Sequence, residues 1–327
     1  MHHKGGHMYT FSAMNTQFLL DGLKKEQCEE AKQYVLQAEA TLSRFSADSE
    51  LSEINAKKGE WVRVSQLTFQ LLKEALLGFQ ETEGLFNPFL GAEIKKAGYN
   101  KSFELLIKEE QKAKILNKAD TDFNLPKLQQ ERHCSAATQV QFDAKNMKIN
   151  LAKHADLDLG GIAKGWVAQR LAEQFIGGGI NAGLIDAGGD IVVWGKEPRQ
   201  QVWGIEVANP FDPQSGIADL WIEDFTAIAT SNVMKRSWLN IDGQRSNHII
   251  DPRTGLSAES DLVQATVLSG NLTKSEQYAK CLLILGSEKG LPFLVKHSPD
   301  SAYIVVNKDG TLIASSNLAS YCSEWKL

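Results

Sequence analysis

Apolar residues recur at helical spacing in some parts of the chain and alternate in others. From Lys24 to Leu42, the positions Ala31, Val35, Ala38 and Leu42 keep the 3.6-residue period of an amphipathic helix. Leu67, Leu71, Leu72, Ala75, Leu76 and Phe79 predict a second helix over Ser65 to Glu83, with Ser65 as its N-cap and Gly84 as its terminator. A polar loop, R-F-S-A-D-S-E-L-S-E-I-N, separates the two. Ahead of them, residues 8–21 alternate weakly and read as one strand with Met14-Asn15-Thr16 in its middle. Residues 85–155 are mixed and polar, with short strands expected around Thr138–Phe142 and Met147–Leu151.

The second half is strand-rich. Two apolar strands bracket a helix between Asp156 and Gly195, and W-G-I-E-V-A, I-A-D-L-W-I and F-T-A-I-A-T-S follow as further strands. H-I-I-D-P-R-T-G reads as a turn, punctuated by its proline and glycine. A strand at Leu262–Ser269, a helix at Lys274–Leu285 and two strands around Ala302–Val306 and Thr311–Ala314, joined by N-K-D-G, complete the pattern. With no internal repeat and no low-complexity linker, residues 1–327 read as one α+β domain, with a division into two lobes sharing a cleft left open.

Composition changes this picture little. A chain of 327 residues, 43% hydrophobic and 23% charged, can bury a substantial core in one large or two modest domains. A net charge of −5, with Lys and Arg spread along the chain, leaves no footprint for nucleic acid or for an anionic membrane surface. Cys28, Cys134, Cys281 and Cys322 have no metal-ligand spacing, and Cys281 sits in an apolar run that suits a reduced, buried thiol. No run is long enough to span a bilayer, so the chain as it stands is expected to be soluble and cytoplasmic. An exported or lipid-anchored form stays open if a signal peptide was removed. Residues 1–8, with His2, His3 and His7, read as a disordered tail or an expression remnant.

Candidate chemistry concentrates between Asp156 and Gly195. There D-L-D-L-G-G-I-A-K-G leads from a strand through a glycine turn into a helix with an early lysine, and A-G-G-D ends the next strand. Backbone N–H groups at a helix start beside an ammonium suit a phosphate-bearing ligand. Glycines used only for tight packing would give the same pattern. By the same measure, Met14 and Phe45 read as core, Lys164 as a solvated charge, and Asp251 and Thr254 as turn builders. Asp190 reads as a cap of its turn.

Four segments in order resemble the ApbE family of FAD:protein FMN transferases. They are L-S-R-F-S-A-D-S-E-L-S-E-I-N (Leu42 to Asn55), G-L-F-N-P-F-L-G (Gly84 to Gly91), the D-L-G-G-I-A-K-G turn with its following G-G-D, and A-T-S-N…H-I-I-D-P-R-T-G (Ala229 to Gly255). The resemblance implies a T-fold-like α+β architecture of mixed sheets with packed helices and an FAD cleft between lobes. It further implies FAD as ligand, Mg2+ near the pyrophosphate, and transfer of the FMN half to a Ser or Thr hydroxyl of a partner redox protein, with release of AMP. By the same carry-over, Met14, Phe45, Leu85, Phe86 and Asn87 line the flavin side, and Asp158 and Lys164 hold polar parts of FAD. Ile250 touches the cofactor and His248 stands beside the reacting centre.

The chain departs from the family pattern at the metal. The family places a backbone carbonyl there, here Gly161, with an Asp and a Thr four residues apart on a late helix; S-E-Q-Y-A-K puts Glu276 and Lys280 in those places. Glu276 offers oxygen ligands, whereas a protonated Lys280 has no acceptor. Four-residue spacing puts both on one helix face, so three readings stand: a retained Mg2+ site with Gly161 and Glu276 as ligands, a plain intrahelical ion pair, or a lysine that takes over the metal's charge. His248, Glu276 and Lys280 are the candidate catalytic residues. The expected activity is FMN transfer; a flavin-binding protein of reduced activity and an FAD pyrophosphatase are the alternatives.

Overall fold

The computed structural model describes residues 8–99, 139–212, 214–239 and 245–327. The expectations for the tail before Met8, for Thr138 and for Cys134 lie outside them. The chain forms two compact units: residues 1–39, 160–232 and 260–327 make the first, and residues 40–159 and 233–259 the second. Together their elements give an α+β fold of antiparallel sheets and helices.

The first unit is built on an eight-stranded sheet in the order Tyr9–Ala13, Thr16–Asp21, Gly183–Ala187, Asp190–Trp194, Thr226–Asn232, Leu262–Ser269, Ala302–Asn307, Leu312–Ala314. Every neighbouring pair is antiparallel. On one face, Leu184, Ile191, Val193, Ile228, Leu268 and Ile304 bury against Trp203, Ile205, Leu220 and Ile222 of a second, three-stranded sheet. Each such side chain contributes roughly 1.5–3 kcal/mol when fully removed from water. Strand alternation turns Ala227, Ala229 and Ala265 to the opposite face. There the helices Ala163–Gly177 and Leu272–His297 pack on the sheet, and small side chains allow the close approach. Leu262–Ser269 is buried at every position, as a central strand with both faces covered must be.

The second unit carries the helices Glu50–Ala56, Gln66–Glu81 and Gly91–Lys96 and a three-stranded sheet in which Lys148–Leu151 lies between Trp61–Arg63 and Val140–Asp143. Ser65 caps its helix by accepting from the Thr68 N–H, and Gly84, at φ 83°, ends the run by donating to the Phe79 carbonyl. Both roles are those expected from the sequence.

Three expectations change. Residues 8–21 are a hairpin, because Met14 and Asn15 both take the left-handed conformation that a two-residue turn needs, at φ 52° and 56°. The polar loop after Leu42 contains the helix Glu50–Ala56: Ser49 accepts from the Ser52 N–H, and Leu51 and Ile54, three apart, are buried. The late helix runs on to His297 but breaks at Gly286, where φ is 76°. Asp261 accepts there from the Ser287 N–H at 2.9 Å and from its hydroxyl, and so caps the segment that follows. Cys28, Cys281 and Cys322 are free and buried. Among the described residues no helix is long and apolar enough to cross a membrane.

Candidate active site

Two charged centres, one in each unit, hold some of the residues singled out from the sequence. In the first unit, the turn through Gly160 and Gly161 delivers Lys164 into the first turn of helix Ala163–Gly177. Its ammonium lies 2.6 Å from Asp190 Oδ2, at the start of strand Asp190–Trp194, and 3.1 Å from Glu276 Oε1 on the late helix. Lys280, one turn beyond Glu276, brings its ammonium to 3.1 Å from the same oxygen and 3.3 Å from the Glu276 carbonyl. Glu276 Oε2 accepts from the Gly165 N–H at 3.0 Å. The carboxylate approaches that backbone closely because residue 165 has no side chain; a Cβ there would meet Oε2 at 2.6 Å.

The cluster is enclosed: the Glu276 side chain is 1% exposed, and those of Lys164 and Lys280 are 14% exposed each. Burial by itself would push the Glu276 carboxyl up, but the Lys164 and Lys280 ammoniums outweigh it and hold the group at about 2. Asp190 is pushed up, because burial and the neighbouring Glu276 carboxylate together exceed the pull of the lysines. Lys164 is a half-buried, paired charge rather than a solvated one, since its ammonium is bonded to Asp190 and Glu276. The cap of the Gly188-Gly189 turn is Asp186, which accepts from the Gly189 N–H at 2.7 Å; Asp190 is spent on Lys164 instead. Also in this unit, Met14 occupies the hairpin turn, and its N–H donates to Glu39 Oε1 at 2.7 Å.

In the second unit, Asn55 clamps the segment before the glycine turn. Its amide donates to the Leu157 carbonyl at 2.9 Å and its oxygen accepts from the Leu157 N–H at 2.8 Å. The Asp158 N–H donates to the Pro88 carbonyl, and the Gly91 N–H to the Asp156 carbonyl, both at 2.9 Å. These bonds give the G-L-F-N-P-F-L-G motif a physical reason, since a Cβ at Gly91 would meet Asp156 oxygens at 2.9 Å. Asn87 accepts from the Phe89 N–H, while Leu85 and Phe86 are buried. Asp158 pairs with Arg44 Nε at 2.9 Å. The Arg44 guanidinium lies over the rings of Phe45, at 4.3 Å, and of Tyr99, at 4.5 Å. Phe45 keeps 37% of its surface exposed.

His248 is half-buried on a hairpin whose flanks are tied down. Asn247 exchanges bonds with the Ser257 side chain, and the Ala258 N–H donates to the Ile249 carbonyl at 2.7 Å. Ile250 is buried. Asp251 and Thr254 build the following turn by accepting from the N–H groups of Arg253 and Leu256, as read from the sequence.

Thus Lys164, Glu276 and Lys280 meet in one cluster, and Asp158 and Phe45 meet around Arg44. Arg44 is not among the residues singled out from the sequence; its signal is the R-F pair inside the polar loop after Leu42. Gly165 is not among them either, because its role is set by a carboxylate more than a hundred positions later.

A magnesium ion seeks six oxygens in near-octahedral geometry. Around Glu276, two ammoniums and a backbone N–H engage the carboxylate oxygens, and among the described residues no group of three or more His, Cys, Asp or Glu could hold a metal. This donor set does not fit a resident divalent cation.

Known proteins resemble the chain along most of its length. A Treponema pallidum (strain Nichols) protein named FAD:protein FMN transferase is 28% identical over 275 residues, covering 81% of this chain and 73% of its own. One of the same name from Klebsiella pneumoniae (strain 342) is 28% identical over 292 residues, covering 87% and 83%. The solved structure of the ApbE protein from Thermotoga maritima superposes with a TM-score of 0.79 at 23% identity, covering 97% of this chain and 99% of that one. The flavin transferase ApbE from Vibrio cholerae gives 0.72 at 23%, covering 96% and 98%. The ApbE family model matches residues 7–305, and the chain belongs to that family.

Proposed function

We propose that this chain is an FAD:protein FMN transferase that moves FMN from FAD to a Ser or Thr hydroxyl of a partner redox protein. The observation that carries the reading is the enclosed Lys164–Asp190–Glu276–Lys280 cluster at the glycine turn of an ApbE-family chain. It puts two fixed ammoniums beside a helix start, where a pyrophosphate gains from both.

In the reaction the acceptor oxygen bonds to the flavin-side phosphorus, and the P–O bond to the AMP half breaks. AMP leaves with that electron pair, and the hydroxyl proton passes to a base. Positioning and charge neutralisation carry most of such a step. His248 is proposed as the base, since histidine titrates nearest neutrality and the hairpin flanking it is rigidly bonded. Met14, Phe45, Leu85, Phe86, Asn87 and Ile250 are proposed to contact the flavin side, and Asp158 and Lys164 the polar parts of FAD. Gly161 would offer its carbonyl where the family holds Mg2+, but Glu276 would first have to lose its ammonium partners. That observation favours a second reading, a flavin binder of reduced activity.

Incubation with FAD and a Ser/Thr-bearing acceptor polypeptide, followed by assay of AMP and of flavin fluorescence on the denatured acceptor, tests the reading. Equal AMP and acceptor-bound flavin are expected. Free FMN with AMP and no acceptor would indicate a pyrophosphatase, and bound FAD with no AMP a binder. His248→Ala should slow AMP release by about 10²–10⁴-fold while FAD affinity holds.

A further inference from the structure

We propose that Lys280 permanently closes the Glu276 carboxylate to divalent cations and supplies the positive charge at that position itself, so that nucleotide binding by this chain needs no magnesium. The part concerning nucleotide rests on the transferase reading above; the closure of Glu276 does not.

Three observations support it. Glu276 Oε1 accepts from two ammoniums, Lys164 and Lys280, at 3.1 Å each, and Oε2 accepts from the Gly165 N–H at 3.0 Å. A carboxylate oxygen has two lone-pair directions, so the oxygen facing both lysines has none to spare. Second, the cluster balances: Asp190 and Glu276 offset Lys164 and Lys280. A divalent ion would add two charges to this enclosed group. Both ammoniums repel such an ion, and the two carboxylates that would attract it are already paired with them. Magnesium also gives up its own water reluctantly, which deepens the penalty.

The third observation is that the lysine is held rather than adventitious. Lys280 bonds to the Glu276 carbonyl as well as to its carboxylate, and the carboxylate is seated against a glycine that leaves room for nothing larger. Displacing the ammonium would strand a buried charge on one side and expose the pairing of Lys164 on the other. A lysine is a point charge with rotating donors, suited to neutralising a phosphate; it lacks the fixed octahedral geometry with which a metal orients its ligands.

Two measurements on the purified full chain decide this. In the first, Mn2+ binding to the flavin-free protein is followed by the loss of the free-ion electron-spin-resonance signal. The wild type should leave the signal unchanged, while Lys280→Thr, which exposes Glu276, should bind Mn2+. Wild-type binding that Glu276→Gln abolishes would overturn the proposal. In the second, FAD affinity is measured with a chelator and with added Mg2+. The wild type should differ by less than about twofold between the two conditions; Lys280→Thr should lose at least about tenfold in chelator and regain it with Mg2+. Lys280→Arg, which keeps the cation, should stay indifferent to the chelator and shows that folding is not at issue. A tenfold loss of wild-type affinity in chelator, or a Lys280→Thr protein that binds FAD as the wild type does without metal, would overturn the proposal. Absence of FAD binding under every condition would sink the transferase reading, and the Mn2+ measurement would still decide whether Glu276 is closed.

Discussion

A single methyl group at residue 165 would be felt across the whole charged cluster. Gly165→Ala places a Cβ 2.6 Å from Glu276 Oε2 and 3.2 Å from the Leu272 carbonyl, so the late helix or the carboxylate must give way. Both are held, the carboxylate by three N–H donors and the helix start by the Asn271 cap and by Gln169, which accepts from the Leu272 N–H. Overpacking of this kind costs about 1–3 kcal/mol, and urea unfolding should show that loss in the midpoint with the slope unchanged. An unchanged midpoint would mean that the late helix is free to shift. Arg44 shows the same dependence on position: in the sequence it is one residue of a polar loop, in the fold it is paired with Asp158 and laid over two rings.

At the scale of elements, the late helix is two helices joined at a break at Gly286. A side chain there would be strained by φ 76° and would clash with Asp261 Oδ1. The break frees the Ser287 N–H, and Asp261 captures it from the strand-leading loop, acting as an N-cap that is distant in sequence. Burial would raise the Asp261 carboxyl, but the bonds from Ser287 outweigh it and hold the group below its ordinary 3.8. A carboxyl depressed in the folded state stabilises above the unfolded value, and that contribution is lost as pH falls below about 3.8 towards the folded one. Asp261→Ala should therefore cost about 1 kcal/mol at neutral pH, and the gap from wild type should close as unfolding is followed into acid. A gap independent of pH would assign the loss to packing rather than to the cap.

At the scale of the whole molecule, a ligand that binds only the folded chain raises its stability by mass action. FAD at a hundredfold its dissociation constant should add about 2.7 kcal/mol and move the thermal midpoint upward with concentration. No shift at saturating FAD would remove the transferase reading. The periodicity of the chain was enough to determine most elements: the helix capped by Ser65, the strand Leu262–Ser269, the helix start before Leu285 and the N-K-D-G hairpin all lie where apolar spacing and turn residues put them. These are local matters, decided by side-chain period and by caps within a few residues. The four motifs likewise carried the family, which the match over residues 7–305 shows. Only the tertiary structure decided the rest. It alone closes residues 8–21 into a hairpin and ends one helix at Gly286. It alone joins Lys164, Asp190, Glu276 and Lys280 into one neutral cluster. The physical reason is distance along the chain: periodicity tells which face of an element is buried, but not which charge from another element it will meet there.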